Sequence, residues 1–144
     1  MISRDNRFQK RQDDLEILDH EHSEIHRQYI QLDDAILHGF GSARILEAAR
    51  ALVHTMGLHF THEQQFQETN SVPVLEKQRT AGSRLMAEIV AIEEGLKQGE
   101  VYAALRLRGL CKGWMQEHMY VEMVELGFAA LIYGSEPDRI QAQM

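Results

Sequence analysis

The stretch "ILEAARALVHTMGLHFTHEQQF", residues 45–66, decides how the chain folds. Its apolar positions Ile45, Ala49, Leu52, Met56 and Phe66 follow steps of three and four residues. That spacing is the stripe an α-helix buries in a bundle. Two positions on the stripe are polar, His59 and Glu63. Taken alone, a histidine on an apolar stripe reads as a hydrogen-bonded core residue. Its chemistry depends on what the rest of the chain places at the same level.

The same rhythm governs three further segments. Before the quoted stretch, Leu15, Leu18, Ile25, Tyr29, Leu32 and Ile36 form a stripe in which His22 occupies a core position. "HGFGS", residues 38–42, then breaks the helix with two glycines and offers Ser42 as an N-cap. After the quoted stretch, "ETNSVP", residues 68–73, reads as a turn with Pro73 in the first turn of a third helix. The third stripe is Leu75, Leu85, Ile89, Ile92 and Leu96, with Gln78 and Gly82 at core positions. Past "KQG", residues 97–99, the fourth stripe runs Ala104, Leu107, Cys111, Trp114 and Leu126, interrupted by His118 and Glu122. Two prolines and no alternating Val, Ile and Thr runs leave an all-α chain. With 144 residues, 44% of them hydrophobic, residues 1–144 are expected to form a single four-helix-bundle domain. Short connections imply an antiparallel, up-down-up-down order.

Bulk properties narrow the function. A formal net charge of −7 lacks the clustered basic surface a phosphate backbone requires, so no nucleic-acid partner is expected. One cysteine, Cys111, excludes an intrachain disulfide framework, a cysteine-based zinc finger or an iron–sulfur cluster. It fits a reducing compartment, and a cytoplasmic location is the expectation. The charged start "MISRDNRFQKRQDD" has no apolar h-region, and no run of about 18 apolar residues occurs, so neither secretion nor a membrane span is expected.

The polar intruders share one height. His22 and His59 each lie about 18 residues from the first turn, which is roughly 27 Å along a helix. Gln78 and Gly82 face His59 and Glu63 across the second turn, and His118 faces Gly82 across the third. Burying three imidazoles and two carboxylates at one level would cost several kcal/mol without a cation, so the coincidence points to a metal. The remaining histidines read differently. His20 points about 160° from His22 and His38 sits at a helix end, so both should be solvated. His26 and His54 are structural or exposed, while His62 flanks the stripe and could swing inward as an extra ligand. Met115, Met119 and Met123 read as packing.

These residues resemble the hemerythrin and bacteriohemerythrin family over roughly residues 15–126. "LDHEHSEI" is similar to the family's first signature, a carboxylate three residues before a ligand His, and "LHFTHE" to its His-Phe-x-x-Glu. "WMQEH" is similar to its Trp-x-x-x-His. The resemblance implies a four-helix bundle holding non-heme iron and binding dioxygen, with His22, His59, Glu63 and His118 as metal ligands. Two departures accompany it. A third-helix His-x-x-x-His pair is replaced by Gln78 and Gly82, which would then line a pocket where the family has ligands. The family's last Asp falls on Met123, and Glu122, one residue earlier, becomes the substitute carboxylate. One furnished half-site is expected, His22 and His59 with Glu63, beside a sparser half with His118 and Glu122.

Three functions follow as expectations. The first is a binding or sensing protein with one or two non-heme irons, responding to dioxygen, nitric oxide or redox state. A second is a haem held in a cavity widened at Gly82, with His22, His59 or His118 as axial ligand. The third is a metal-free bundle acting as an interaction module through "LGFAALIY", residues 126–133. No nucleophile with an adjacent base and no phosphate loop suggests an enzyme.

Overall fold

The structure, a computed structural model, describes the backbone of residues 4–70 and 76–119 and the side chains of residues 7–70 and 82–117. Four helices carry these residues: α1 (Arg4–Leu37), α2 (Ser42–Thr69), α3 (Glu76–Lys97) and α4 (Val101–Trp114). A five-residue π-helical turn, Met115–Met119, continues α4. Among the described residues there is no strand, and no helix is long and apolar enough to cross a membrane.

The stripes become the core. Ile25 and Leu32 of α1, Leu52 and Met56 of α2, Ile92 and Leu96 of α3, and Leu107 and Cys111 of α4 are almost completely buried. Tyr29, Ile36, Ile45 and Leu85 pack against that cluster from its edge. Leu75 and Pro73 fall outside the described residues, as do Glu122 and Leu126.

α1 starts well before the apolar stripe, at Arg4. Its charged first turns contain strong helix formers, and side chains one turn apart tie them together. Gln9 donates to Asp13 at 2.9 Å and Lys10 to Asp14 at 3.0 Å. The far end of α1 closes with Gly39 at φ 61°, the Gly39 N–H on Ile36 O and the Phe40 N–H on Ala35 O. α3 closes in the same way, with Gly99 at φ 78°, its N–H on Leu96 O and the Glu100 N–H on Gly95 O. A left-handed glycine satisfies carbonyls that a helix end leaves open, so both helices stop cleanly. The expected N-cap at Ser42 is corrected: Ser42 is the first helical residue, Gly41 is the cap, and no side chain caps α2.

Contacts between helices fix the bundle. The Arg50 guanidinium of α2 donates to Leu96 O at 2.9 Å, near the carbonyl end of α3. Arg108 of α4 lies 3.6 Å from Asp33 of α1. α3 and α4 approach closely at Gly95, where an added Cβ would fall 2.9 Å from Ala103 Cβ. Any side chain there would push the two helices apart.

Candidate metal centre

α2 sets the centre by placing His59 and Glu63 one helical turn apart on its buried stripe. α1 brings His22 to the same level, with its ring centroid 4.5 Å from that of His59. Exposure is 5% for His22, 0% for His59 and 9% for Glu63. One ligand atom from each of the three lies within 4.8 Å of the others. Separations of this size are what a single cation between them needs.

Hydrogen-bond accounting shows why the arrangement is unusual for a core. Among the described residues, both ring nitrogens of His22, Nε2 of His59 and Oε2 of Glu63 are buried without a hydrogen-bond partner. His59 Nε2 and Glu63 Oε2 are only 3.1 Å apart, yet their geometry is not that of a hydrogen bond. Buried polar atoms are nearly always satisfied, because each orphan costs about 1–3 kcal/mol. A cation coordinated by these atoms would satisfy His59, Glu63 and one nitrogen of His22 together. Two imidazoles and one carboxylate form a donor set that suits non-heme iron or zinc with open positions.

The other side of His59 is held by a residue the stripe analysis passed over. Glu21, next to His22 but turned about 100° round α1, places Oε1 3.1 Å from His59 Nδ1. Its Oε2 lies 2.5 Å from His62 Nδ1. A carboxylate can only accept here, so each ring donates through Nδ1. The signal was within "HEH", residues 20–22: a glutamate on the flank of α1 beside an inward histidine. Asp19, the carboxylate three residues before His22, is exposed instead.

Electrostatics separate the two histidines. Burial, aided by neighbouring His59 and opposed by Asp19, pushes His22 down to about 4, so its ring stays neutral and available as a ligand. Burial also acts against a charged His59, but the combined pull of Glu63 and Glu21 outweighs it and raises that group. Cys111, also buried, is pushed up to about 12 and remains a thiol rather than a thiolate ligand.

An aromatic wall closes the centre on the α4 side. The Trp114 ring lies 5.7 Å from His59, 6.1 Å from His22 and 5.3 Å from Phe60, centroid to centroid. Such surroundings exclude water and strengthen every charge interaction inside. Outside, an open cleft of about 290 Å³ between α1 and α2 is lined by Leu18, Phe66 and His62 among others.

Several expected site residues lie elsewhere. His62 is half-exposed, and it holds Glu21 instead of joining the three-residue cluster. Gly82 is corrected: the residue is exposed rather than at a core position, and among the described residues an added Cβ would meet nothing within 4 Å. The Gln78 and His118 side chains and the whole of Glu122 lie outside the described residues. The backbone of His118 falls in the π-helical turn Met115–Met119. His20, His26, His38 and His54 are all exposed, as expected for His20 and His38 and as one of the two readings of His26 and His54. No protein-family model, curated protein or solved structure matches the chain.

Proposed function

We propose that this chain is a metal-binding protein of hemerythrin-like, antiparallel four-helix architecture, with one non-heme iron held by His22, His59 and Glu63. The observation that carries the reading is the convergence of unpartnered buried donor atoms from all three residues. Pairing of Glu21 on α1 with His59 and His62 on α2, at comparable distances from their connecting turn, supports the antiparallel order.

Each side chain has a defined part. His22, held neutral by burial, offers a lone pair, and His59 offers Nε2 because its Nδ1 proton is committed to Glu21. Among the described residues Glu63 supplies the carboxylate facing the centre, and Trp114 with Phe60 keeps water out. Iron in this setting would supply reversible binding of a diatomic molecule or a one-electron redox change. The role that follows is binding or sensing of dioxygen, nitric oxide or redox state. A haem would need a histidine-lined cavity widened at Gly82, and Gly82 is exposed, so iron held by the three residues is the reading preferred.

The test is elemental analysis of protein purified without chelator, together with anaerobic reconstitution with Fe(II). One iron per chain is expected. Absence of bound metal after both procedures overturns the proposal and leaves a metal-free helical bundle.

A further inference from the structure

We propose that Glu21 is a positioning residue: its carboxylate, bracketed between His59 and His62, fixes which nitrogen of His59 faces the centre. The affinity consequence rests on the metal reading above, whereas the tautomer consequence stands on the metal-free protein. Glu21 is only 14% exposed in its side chain, and both oxygens are engaged, Oε1 by His59 and Oε2 by His62. His62 is the outer hand of this bracket, because its Nδ1 hydrogen bond keeps the carboxylate from rotating away toward solvent.

The argument turns on two carboxylates competing for one ring. Neutral His59 carries a single N–H, and its two nitrogens face Glu21 at 3.1 Å and Glu63 at 3.1 Å. With the proton on Nδ1, that N–H is satisfied by Glu21 and Nε2 presents a lone pair to the centre. With the proton on Nε2, the N–H turns toward Glu63 and blocks coordination. His59 is completely buried and has no water to turn to. Removing Glu21 would therefore orphan Nδ1 and shift the ring to the tautomer that cannot bind a cation. Groups that orient a ligand histidine commonly change metal affinity 10- to 100-fold, without touching the metal.

Zinc is a suitable probe, being diamagnetic and redox-inert. Its affinity would be measured by chelator competition on wild type, Glu21→Leu, Glu21→Gln and Glu47→Gln. The His59 tautomer would be read from two-bond proton–nitrogen spectra of the metal-free proteins, at a pH where the ring is neutral. Circular dichroism would confirm that each variant is folded. Glu21→Leu should weaken zinc roughly 10- to 100-fold and move the His59 proton from Nδ1 to Nε2. Glu21→Gln keeps one acceptor oxygen and should fall between Glu21→Leu and wild type. Glu47→Gln removes the same charge from an exposed position on α2, more than three turns from His59, and should bind as wild type does, which separates orientation from net charge. The proposal is overturned by zinc affinity in Glu21→Leu within twofold of wild type, or by weakened affinity with an unchanged tautomer. If wild type binds no zinc or iron, the metal reading fails by itself. The bracket is then upheld by an Nδ1–H tautomer at His59 in wild type and overturned by an Nε2–H one.

Discussion

The seam between α1 and α2 and the seam between α3 and α4 solve opposite problems with the same helical stripe. Along the first, His22, His59 and Glu63 take positions where an apolar side chain would be worth about 1.5–3 kcal/mol. Along the second, Ile89, Ile92, Leu96, Ala104, Leu107 and Cys111 form an uninterrupted apolar surface. One pair of helices gives up stability at its buried polar positions, and the other packs apolar side chains without interruption. Among the described residues the buried polar positions are therefore concentrated on α1 and α2, with the Trp114 ring of α4 set beside them.

The most severe way to break this comparison is His59→Ala. It removes the one ring that touches both Glu21 and Glu63, so metal binding measured by elemental analysis should be lost, while helicity is retained. His38→Ala, at an exposed helix end, should leave stoichiometry unchanged. Full metal content in the His59 variant would place the centre elsewhere.

Leu107→Ala tests the opposite seam. Leu107 is fully buried, and truncation should cost about 2–5 kcal/mol in denaturant unfolding. Metal stoichiometry of the folded variant should nevertheless match wild type. Loss of the metal from a folded Leu107 variant would show that the two seams are not separable.

Histidine titration in the metal-free protein sharpens the contrast within the first seam. His22 is held down to about 4, against 6.5 for a free ring, so its contribution to stability is complete above 6.5 and is lost as the pH falls toward 4. His59 is raised, which gives the reverse sign: its contribution is complete below 6.5 and is lost as the pH rises through its folded value. Resonances followed by NMR should therefore move in two separate steps, with His59 titrating at the higher pH. Coincident titration of both rings near 6.5 would show that neither feels the environment described.

How much of this was legible in the sequence differs between the seams for a physical reason. Spacing of three and four residues exposes which side chains a helix buries, and His22, His59, Glu63, Ile89 and Leu107 all follow it. Glu21 does not, because it acts from the flank of α1, where no periodicity marks it. The long charged start of α1 was equally silent to an apolar pattern, since its helix is held by side-chain pairs such as Lys10 with Asp14. Gly82 misled in the other direction. A stripe continued by counting passes through it, but glycine has no side chain to report which way the helix has turned.

The mildest test is Gly82→Ala, and it discriminates because the two interpretations of that glycine give opposite signs. If Gly82 left a gap beside the metal, a methyl group would intrude on the site and alter metal affinity or the spectrum of a bound cation. Among the described residues nothing lies within 4 Å of the new Cβ, which sits in α3 at an exposed position. The substitution should then act only through the backbone, where replacing glycine with alanine in a helix stabilises by about 0.4–1 kcal/mol. Gly95→Ala provides the contrast on the same helix, because its Cβ would meet Ala103 at 2.9 Å and should destabilise the α3–α4 contact. Unfolding midpoints that rise for Gly82→Ala and fall for Gly95→Ala, with zinc affinity unchanged in the first, would keep α3 out of the metal centre. A drop in zinc affinity for Gly82→Ala would bring α3 back into it.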